Sequence, residues 1–116
     1  MYVFVYGSLK KGFFNHQVIE NSKFICKTHT KECYKMLDLQ SFPGVTKEEK
    51  LSVIHGEVYN VDNITLELLD KFEGNWYLRE AVELDAGFSA QMYFLKLLPE
   101  NLNYHQTVDT GIWTEK

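Results

Sequence analysis

The chain has 116 residues, enough for one domain that buries roughly two thirds of the surface of its unfolded chain and needs no metal or disulfide for stability. Hydrophobic residues make up 45% and aromatic residues 15% of the sequence, which excludes the disordered and fibrous classes. The formal net charge is -4 and the basic residues are scattered, so no nucleic-acid partner is expected. We expect a single domain over residues 1–116.

The apolar run at the N-terminus is too short for a signal sequence or a membrane span, and Lys10 and Lys11 follow it closely. The sequence therefore predicts a soluble, cytoplasmic protein without a membrane partner. Cys26 and Cys33 lack the spacing of a zinc site, and the four histidines show no paired spacing. We expect reduced thiols and neither a metal nor a cofactor.

The first ten residues predict a buried strand that ends in a tight loop. Residues 2–6 are all β-branched or aromatic and do not alternate with polar residues, which is typical of a strand buried on both faces. Gly7 follows at once and allows close approach of the backbone. The N–H groups of this loop are suited to holding an anionic or oxyanionic group.

The next segment predicts three strands and one short helix. Asn15 is a good N-cap for a helix over residues 15–21. Strand-like patterns follow at 23–31 and 33–39, with a hairpin between them near residues 31–32, and again at 53–61. Residues 41–44 predict a turn, and the charged run after them predicts a solvated loop over residues 46–50. Gly56 inside the last strand indicates a bulge or a close backbone contact.

Residues 62–74 carry the clearest helix pattern. Asp62 or Asn63 can cap the start, and Gly74 can end the helix in the left-handed conformation. The predicted apolar stripe consists of Ile64, Leu68, Leu69 and Phe72. Strands are expected at 76–84 and 89–97, and an irregular tail from residue 99.

This order of elements predicts an α+β fold, because the strands lack a regular βαβ rhythm and only one or two helices accompany them. A small mixed β-barrel with flanking helices is our first choice of architecture. Closure would remove exposed sheet edges from a chain with only two prolines to protect them.

Glu73 is a candidate acid/base because a carboxylate on the last helical turn opposes the helix dipole. That field and the nearby Phe72 and Trp76 would raise its pKa towards the range useful for proton transfer near neutral pH. The alternative is a solvated glutamate at a helix end.

Ser8 has two alternatives as well: a structural turn residue, or a hydrolase nucleophile. A serine nucleophile would be expected in a G-x-S-x-G motif with ordered Asp and His partners, and the sequence has neither. The sequence Lys10-Lys11-Gly12 does not complete a phosphate-binding P-loop.

Several motifs together resemble the gamma-glutamyl cyclotransferase-like (AIG2-like) family, and within it the gamma-glutamylamine cyclotransferase branch. The matching stretches lie at 3–12, 15–16, 42–44, 55–59, 69–74 and 111–113, with Tyr77 and Arg79. The resemblance implies a small mixed β-barrel with flanking helices.

The resemblance also implies an activity. The α-amine of a γ-glutamyl substrate attacks its own γ-carbonyl, which releases 5-oxoproline and an amine without a cofactor or metal. Glu73 would be the general acid/base, and the substrate would contact Tyr77 and the loop residues Tyr6, Gly7, Ser8 and Leu9. Phe72 and Trp76 would form the pocket wall or belong to the core, and the core is favoured for Phe72. The alternative is a non-catalytic module of the same fold that binds a small ligand or a protein. The leaving amine and the oligomeric state stay open.

Overall fold

The computed structural model describes residues 1–40, 42–96 and 106–114. In that part of the chain, short 3₁₀ turns lie at His16–Val18 and Gly74–Trp76, and the regular elements are β1 (Tyr2–Val5), β2 (Lys23–His29), β3 (Lys35–Asp38), β4 (Pro43–Thr46), β5 (His55–Asn60), α1 (Asn63–Glu73), β6 (Tyr77–Glu83), β7 (Ser89–Leu95) and β8 (Gln106–Thr107). No helix within these ranges is long and apolar enough to cross a bilayer.

The strands form two sheets. The larger has the order β2-β5-β1-β7-β6, and the smaller has the order β4-β3-β8. In the larger sheet β1 pairs antiparallel with β5 and parallel with β7, so the sheet is mixed. The α+β class is confirmed. The described strands do not close into a single barrel, because they belong to two separate hydrogen-bonded sheets.

The central strand β1 is buried on both faces, as its apolar pattern predicts. Phe4 packs on one side in the core between the sheets, with Met36 and Met92. Val3 and Val5 pack on the other side in a cluster that includes Leu69 of α1. Each face of the strand therefore has its own hydrophobic partner, and the loop after β1 leaves the sheet from a fixed position.

The predicted hairpin at residues 31–32 is wrong. β2 pairs with β5, whereas β3 pairs with β4 and β8. The chain passes from the larger to the smaller sheet at the buried residue Thr30. Its N–H donates to the carbonyl of Ile54. Its hydroxyl donates to the carbonyl of Glu32 and accepts a hydrogen bond from the N–H of Ile54. These bonds carry the chain from one sheet to the other.

Two other local predictions need correction. The predicted helix at 15–21 is only the 3₁₀ turn, and Asn15 makes no capping bond with its side chain. Pro43 and Gly44 lie in β4 instead of in a turn, because the chain reverses earlier, at Gln40 with φ 81°. Thr46 ends β4, so the solvated loop predicted over residues 46–50 begins one residue later, and residues 47–50 are exposed. The tail expected at 99–105 and the end of the strand predicted to 97 lie outside the described residues.

Gly56 is a close backbone contact, as expected. A Cβ built at this residue would lie 2.3 Å from the carbonyl oxygen of Val5 on the neighbouring strand. The register shift of β2 against β5 lies between Phe24 and Cys26 of β2, so the bulge is not at Gly56.

Helix α1 has the predicted ends but not the predicted apolar stripe. The Asp62 carboxylate accepts the N–H of Thr65 at 2.7 Å, and Gly74 follows the helix with φ 71°. The buried residues are Leu66 and Leu69, which are one turn apart. Of the predicted stripe only Leu69 is buried, while the other three residues are exposed: Ile64, Leu68 and Phe72. The helix touches the sheet along a narrow line, so the prediction of Phe72 as a core residue is wrong.

Candidate active site

A cavity of about 400 Å³ lies where the loop after β1 meets the end of α1 and the start of β6. All six residues predicted for the site line it: Tyr6, Gly7, Ser8, Leu9, Glu73 and Tyr77. The other lining residues are Phe4, Val5, Phe14, Asn15, Phe42, Pro43, Phe72, Trp76 and Tyr93. The fold thus places a loop from the start of the chain beside a carboxylate more than sixty residues later.

The loop is held in place by its own backbone and by β4. The N–H of Lys10 donates to the carbonyl of Gly7 at 3.1 Å, and the N–H of Asn15 donates to the carbonyl of Ser8 at 2.9 Å. A Cβ on Gly7 would lie 2.8 Å from Cγ of Pro43, so only glycine fits without displacing that proline. Among the described residues, no hydrogen bond uses the N–H groups of residues 7–9. These three N–H groups belong to residues that line the cavity.

Ser8 lacks the partners of a nucleophile. Its Oγ accepts a hydrogen bond from Nδ2 of Asn15 at 2.9 Å. The described residues that line the cavity include no histidine, and His16 nearby places its Nδ1 2.9 Å from the carbonyl oxygen of Leu9. A Ser-His-Asp arrangement of the kind that activates a serine is not formed here. The side chain of Ser8 instead fixes the shape of the loop.

Glu73 is half-buried at the cavity wall, and burial raises its pKa from 4.5 to about 7. Withdrawal from water disfavours the charged form of a carboxyl group. No hydrogen-bond donor to this carboxylate is found in residues 1–40, 42–96 and 106–114, so nothing offsets the effect of burial. A carboxyl group with a pKa near 7 can both accept and return a proton at neutral pH.

Three tyrosines surround Glu73, and each hydroxyl donates its proton to another acceptor. Tyr6 donates to the carbonyl of Tyr93 at 2.8 Å, and Tyr77 donates to the carbonyl of Pro43 at 2.7 Å. Tyr93 donates to Oδ1 of Asp70 at 2.6 Å. Burial is the main cause that raises the pKa of each of the three hydroxyls, and for Tyr93 the hydrogen bond to Asp70 and the negative charge of Asp70 add to it. The hydroxyl protons are thus committed away from Glu73, which explains why its charged form gains no stabilisation.

Tyr93 is one of the lining residues that the sequence did not predict, and it contacts a charged side chain. It lies in β7 opposite Arg79 of β6, and Arg79 binds Asp70 through Nε at 2.9 Å and Nη2 at 3.2 Å. Asp70 therefore receives hydrogen bonds from both side chains and links α1 to this pair of strands. Only the pairing of β6 with β7 brings these residues together, so no local sequence signal marks Tyr93.

Metal chemistry has no support in the side chains described. Within the described ranges, no group of three His, Cys, Asp or Glu side chains could hold a metal ion. Glu73 is the one charged residue among the described residues that line the cavity. The site offers a single proton-transfer group, an array of backbone N–H donors and an aromatic wall.

A fold with this site defines a class of small α+β proteins with one carboxylate in a pocket. Residues 3–115 match the family model described as gamma-glutamyl cyclotransferase, AIG2-like, and the chain belongs to that family. The predicted family is thereby confirmed.

Two relatives and one solved structure show how far the similarity extends. A protein of Methanocaldococcus jannaschii, provisionally named a gamma-glutamylcyclotransferase, is 50% identical over 100 residues, which cover 80% of this chain and 82% of that one. Gamma-glutamylaminecyclotransferase C of Danio rerio is 39% identical over 99 residues, covering 72% of this chain and 62% of the relative. The crystal structure of an AIG2-like protein from Mus musculus superposes with a TM-score of 0.78 at 22% identity, covering 94% of this chain and 86% of that one. The last likeness shows the fold alone.

Proposed function

We propose that the protein is a cyclotransferase that converts γ-glutamylamines into 5-oxoproline and a free amine. The observation that carries the proposal is the carboxylate of Glu73, which lines the same cavity as the Gly7 loop and has no hydrogen-bond donor among the described residues. Membership of the family and the named zebrafish relative support it.

The substrate carries its own nucleophile, so the site needs to supply only binding and proton transfer. The α-amine and the γ-carbonyl belong to one molecule and can close a five-membered ring. Near neutral pH the α-amine is mostly protonated, since α-amino groups have pKa values of about 8. The ammonium proton is lost to water. As the electron pair of the neutral nitrogen forms a C–N bond to the γ-carbon, the π electrons of the carbonyl move to its oxygen, and Glu73 takes one of the two protons that remain on the nitrogen.

Collapse of the tetrahedral intermediate completes the reaction. The electron pair of the carbonyl oxygen reforms the double bond, and the C–N bond to the departing amine breaks. Glu73 returns its proton to that nitrogen, which leaves as the free amine, and the carboxylate is regenerated. One group with a pKa of about 7 performs both transfers.

The loop residues Tyr6, Gly7, Ser8 and Leu9 hold the glutamyl group in this proposal, mainly through backbone N–H groups. Such donors can bind the α-carboxylate of the substrate or the developing oxyanion. Tyr77 forms the adjoining wall, and its bond to Pro43 fixes the orientation of the ring.

The test is a panel of γ-glutamyl compounds incubated with the purified protein, with 5-oxoproline measured by mass spectrometry. The panel contains small γ-glutamylamines, γ-glutamyl-ε-lysine, γ-glutamyl amino acids and glutathione, each with an enzyme-free control. We expect 5-oxoproline from at least one γ-glutamylamine and little from glutathione. Binding of these compounds by calorimetry without any 5-oxoproline would overturn the enzyme proposal in favour of a small-ligand binding module.

A further inference from the structure

The cavity has an aromatic rim formed by Phe14, Phe42, Phe72 and Trp76, of which Phe42 is partly buried and the other three are exposed. Phe14 is 80% exposed, Phe72 is 44% exposed and Trp76 is 40% exposed, although all are large and apolar. The rings of Phe42 and Trp76 lie 5.9 Å apart with their planes tilted by 33°. Exposed apolar surface that continues into a pocket marks a place where a ligand is bound.

The rim adjoins Glu73 on both sides along the chain. Phe72 precedes Glu73 directly, and Trp76 ends the 3₁₀ turn that follows it. A departing amine must lie within reach of Glu73 to receive its proton. The group attached to that amine therefore extends towards the mouth of the cavity, where the rim lies.

The charges of the cavity exclude the main alternatives for that group. A leaving amino acid or peptide would bring a carboxylate, and no lysine, arginine or histidine is among the described lining residues to pair with it. A cationic tail would need a carboxylate, and the only one among the described lining residues is Glu73, to which the proposed function assigns proton transfer. An exposed ring attracts a cation only weakly. An apolar substituent on the amine gains binding free energy in proportion to the apolar area that the rim removes from water.

We propose that the rim is a leaving-group subsite selective for uncharged amines with an apolar, preferably arylalkyl, substituent. This inference rests on the proposed cyclotransferase function and narrows its substrate class. The γ-glutamyl part of the substrate lies against the Gly7 loop, and the apolar arm packs against Phe42 and Trp76.

The test compares amides that share the γ-glutamyl group and differ only in the amine. We expect kcat/KM for γ-glutamyl-phenethylamine to exceed that for γ-glutamyl-ethylamine by about ten-fold or more, because the added ring is buried on the rim. γ-Glutamyl-ε-lysine and γ-glutamyl-glycine should be poorer than the phenethylamide. Equal or higher kcat/KM for either charged compound would overturn the proposal.

Variants of the rim give a second readout. Trp76→Ala and Phe42→Ala should each lower kcat/KM for the phenethylamide by about ten-fold and change that for the ethylamide by less than about three-fold. Leu78→Ala removes a side chain of similar exposure outside the cavity and should change neither. An equal loss on both substrates would show that the rim supports the fold and does not select the amine.

Binding measurements separate this inference from the proposed function. If no amide is turned over, the cyclotransferase proposal fails, and the same two amides are compared by calorimetry. A Kd for the phenethylamide about ten-fold lower than for the ethylamide, with the advantage lost in Trp76→Ala, supports the subsite. Equal affinities, or no binding of either amide, overturn it.

Discussion

Asp70 and Glu73 lie three residues apart on helix α1, and their surroundings push their proton affinities in opposite directions. Around Asp70 burial acts to raise the pKa, but hydrogen bonds from Tyr93 and Arg79 outweigh it and hold the pKa below its usual range. Around Glu73 burial acts alone and raises the pKa to about 7. The comparison shows that the supply of donors decides which carboxylate stays charged and which can exchange a proton near pH 7.

The largest expected effect comes from removing the proton carrier. Glu73→Gln should lower kcat for 5-oxoproline release by about 10² to 10⁴-fold, because the amide keeps the size of the side chain but cannot transfer a proton. Glu67→Gln makes the same substitution on the exposed side of α1 and is the matched control. Unchanged turnover of the Glu73 variant, measured by mass spectrometry, would remove Glu73 from the mechanism.

The second effect is on stability, and it has a defined pH window. The pKa of Glu73 is raised on folding, so its contribution to stability is fully present below about pH 4.5 and is lost as the pH rises through about 7. At about 1.4 kcal/mol for each pH unit, wild type should lose up to about 3 kcal/mol that Glu73→Gln retains.

Urea unfolding of both proteins from pH 4 to pH 8 measures this difference. The variant should become the more stable protein as the pH rises through 7, if the folded state withholds solvent from the carboxylate. Two parallel stability curves would mean that Glu73 has the same pKa in the folded and the unfolded protein.

The smallest effect on stability is expected for a substitution of Asp70, and its pH dependence has the opposite sign to that of Glu73. The lowered pKa of Asp70 contributes stability that is present above about pH 4 and is lost as the pH falls through the folded value. Because Asp70 is exposed to solvent, Asp70→Asn should cost less than about 1 kcal/mol at pH 7, and the cost should decrease as the pH falls below about 4. A larger loss at pH 2.5 than at pH 7 would contradict this assignment.

Local pattern was enough to predict the strand, the loop and the helix end that line the cavity. The strand over residues 2–6, the Gly7 loop and the ends of α1 follow from residue type and spacing within one segment. The resemblance to the family then assigns Glu73 and the Gly7 loop to one site. The helix dipole, which suggested Glu73 from the sequence, is not the cause that the structure gives for the raised pKa, since burial alone accounts for it.

The errors concern contacts between distant segments. Strand-like alternation before and after residues 31–32 does not say which strand each segment pairs with, so the predicted hairpin fails at the crossing by Thr30. An apolar residue on a helix is not necessarily buried, because a helix with a narrow contact to the sheet buries only part of its apolar surface. Phe72 is consequently at the mouth of the cavity, and Tyr93 enters the site through sheet pairing that no single segment encodes.

Titration of the Glu73 carboxyl group by ¹³C NMR, assigned by comparison with Glu73→Gln, tests the central claim most directly. We expect a pKa of about 7 for this carboxyl group, while that of Asp70 stays below its usual range. A titration of Glu73 near 4.5 would contradict the claim that it is held ready to accept and return a proton at neutral pH.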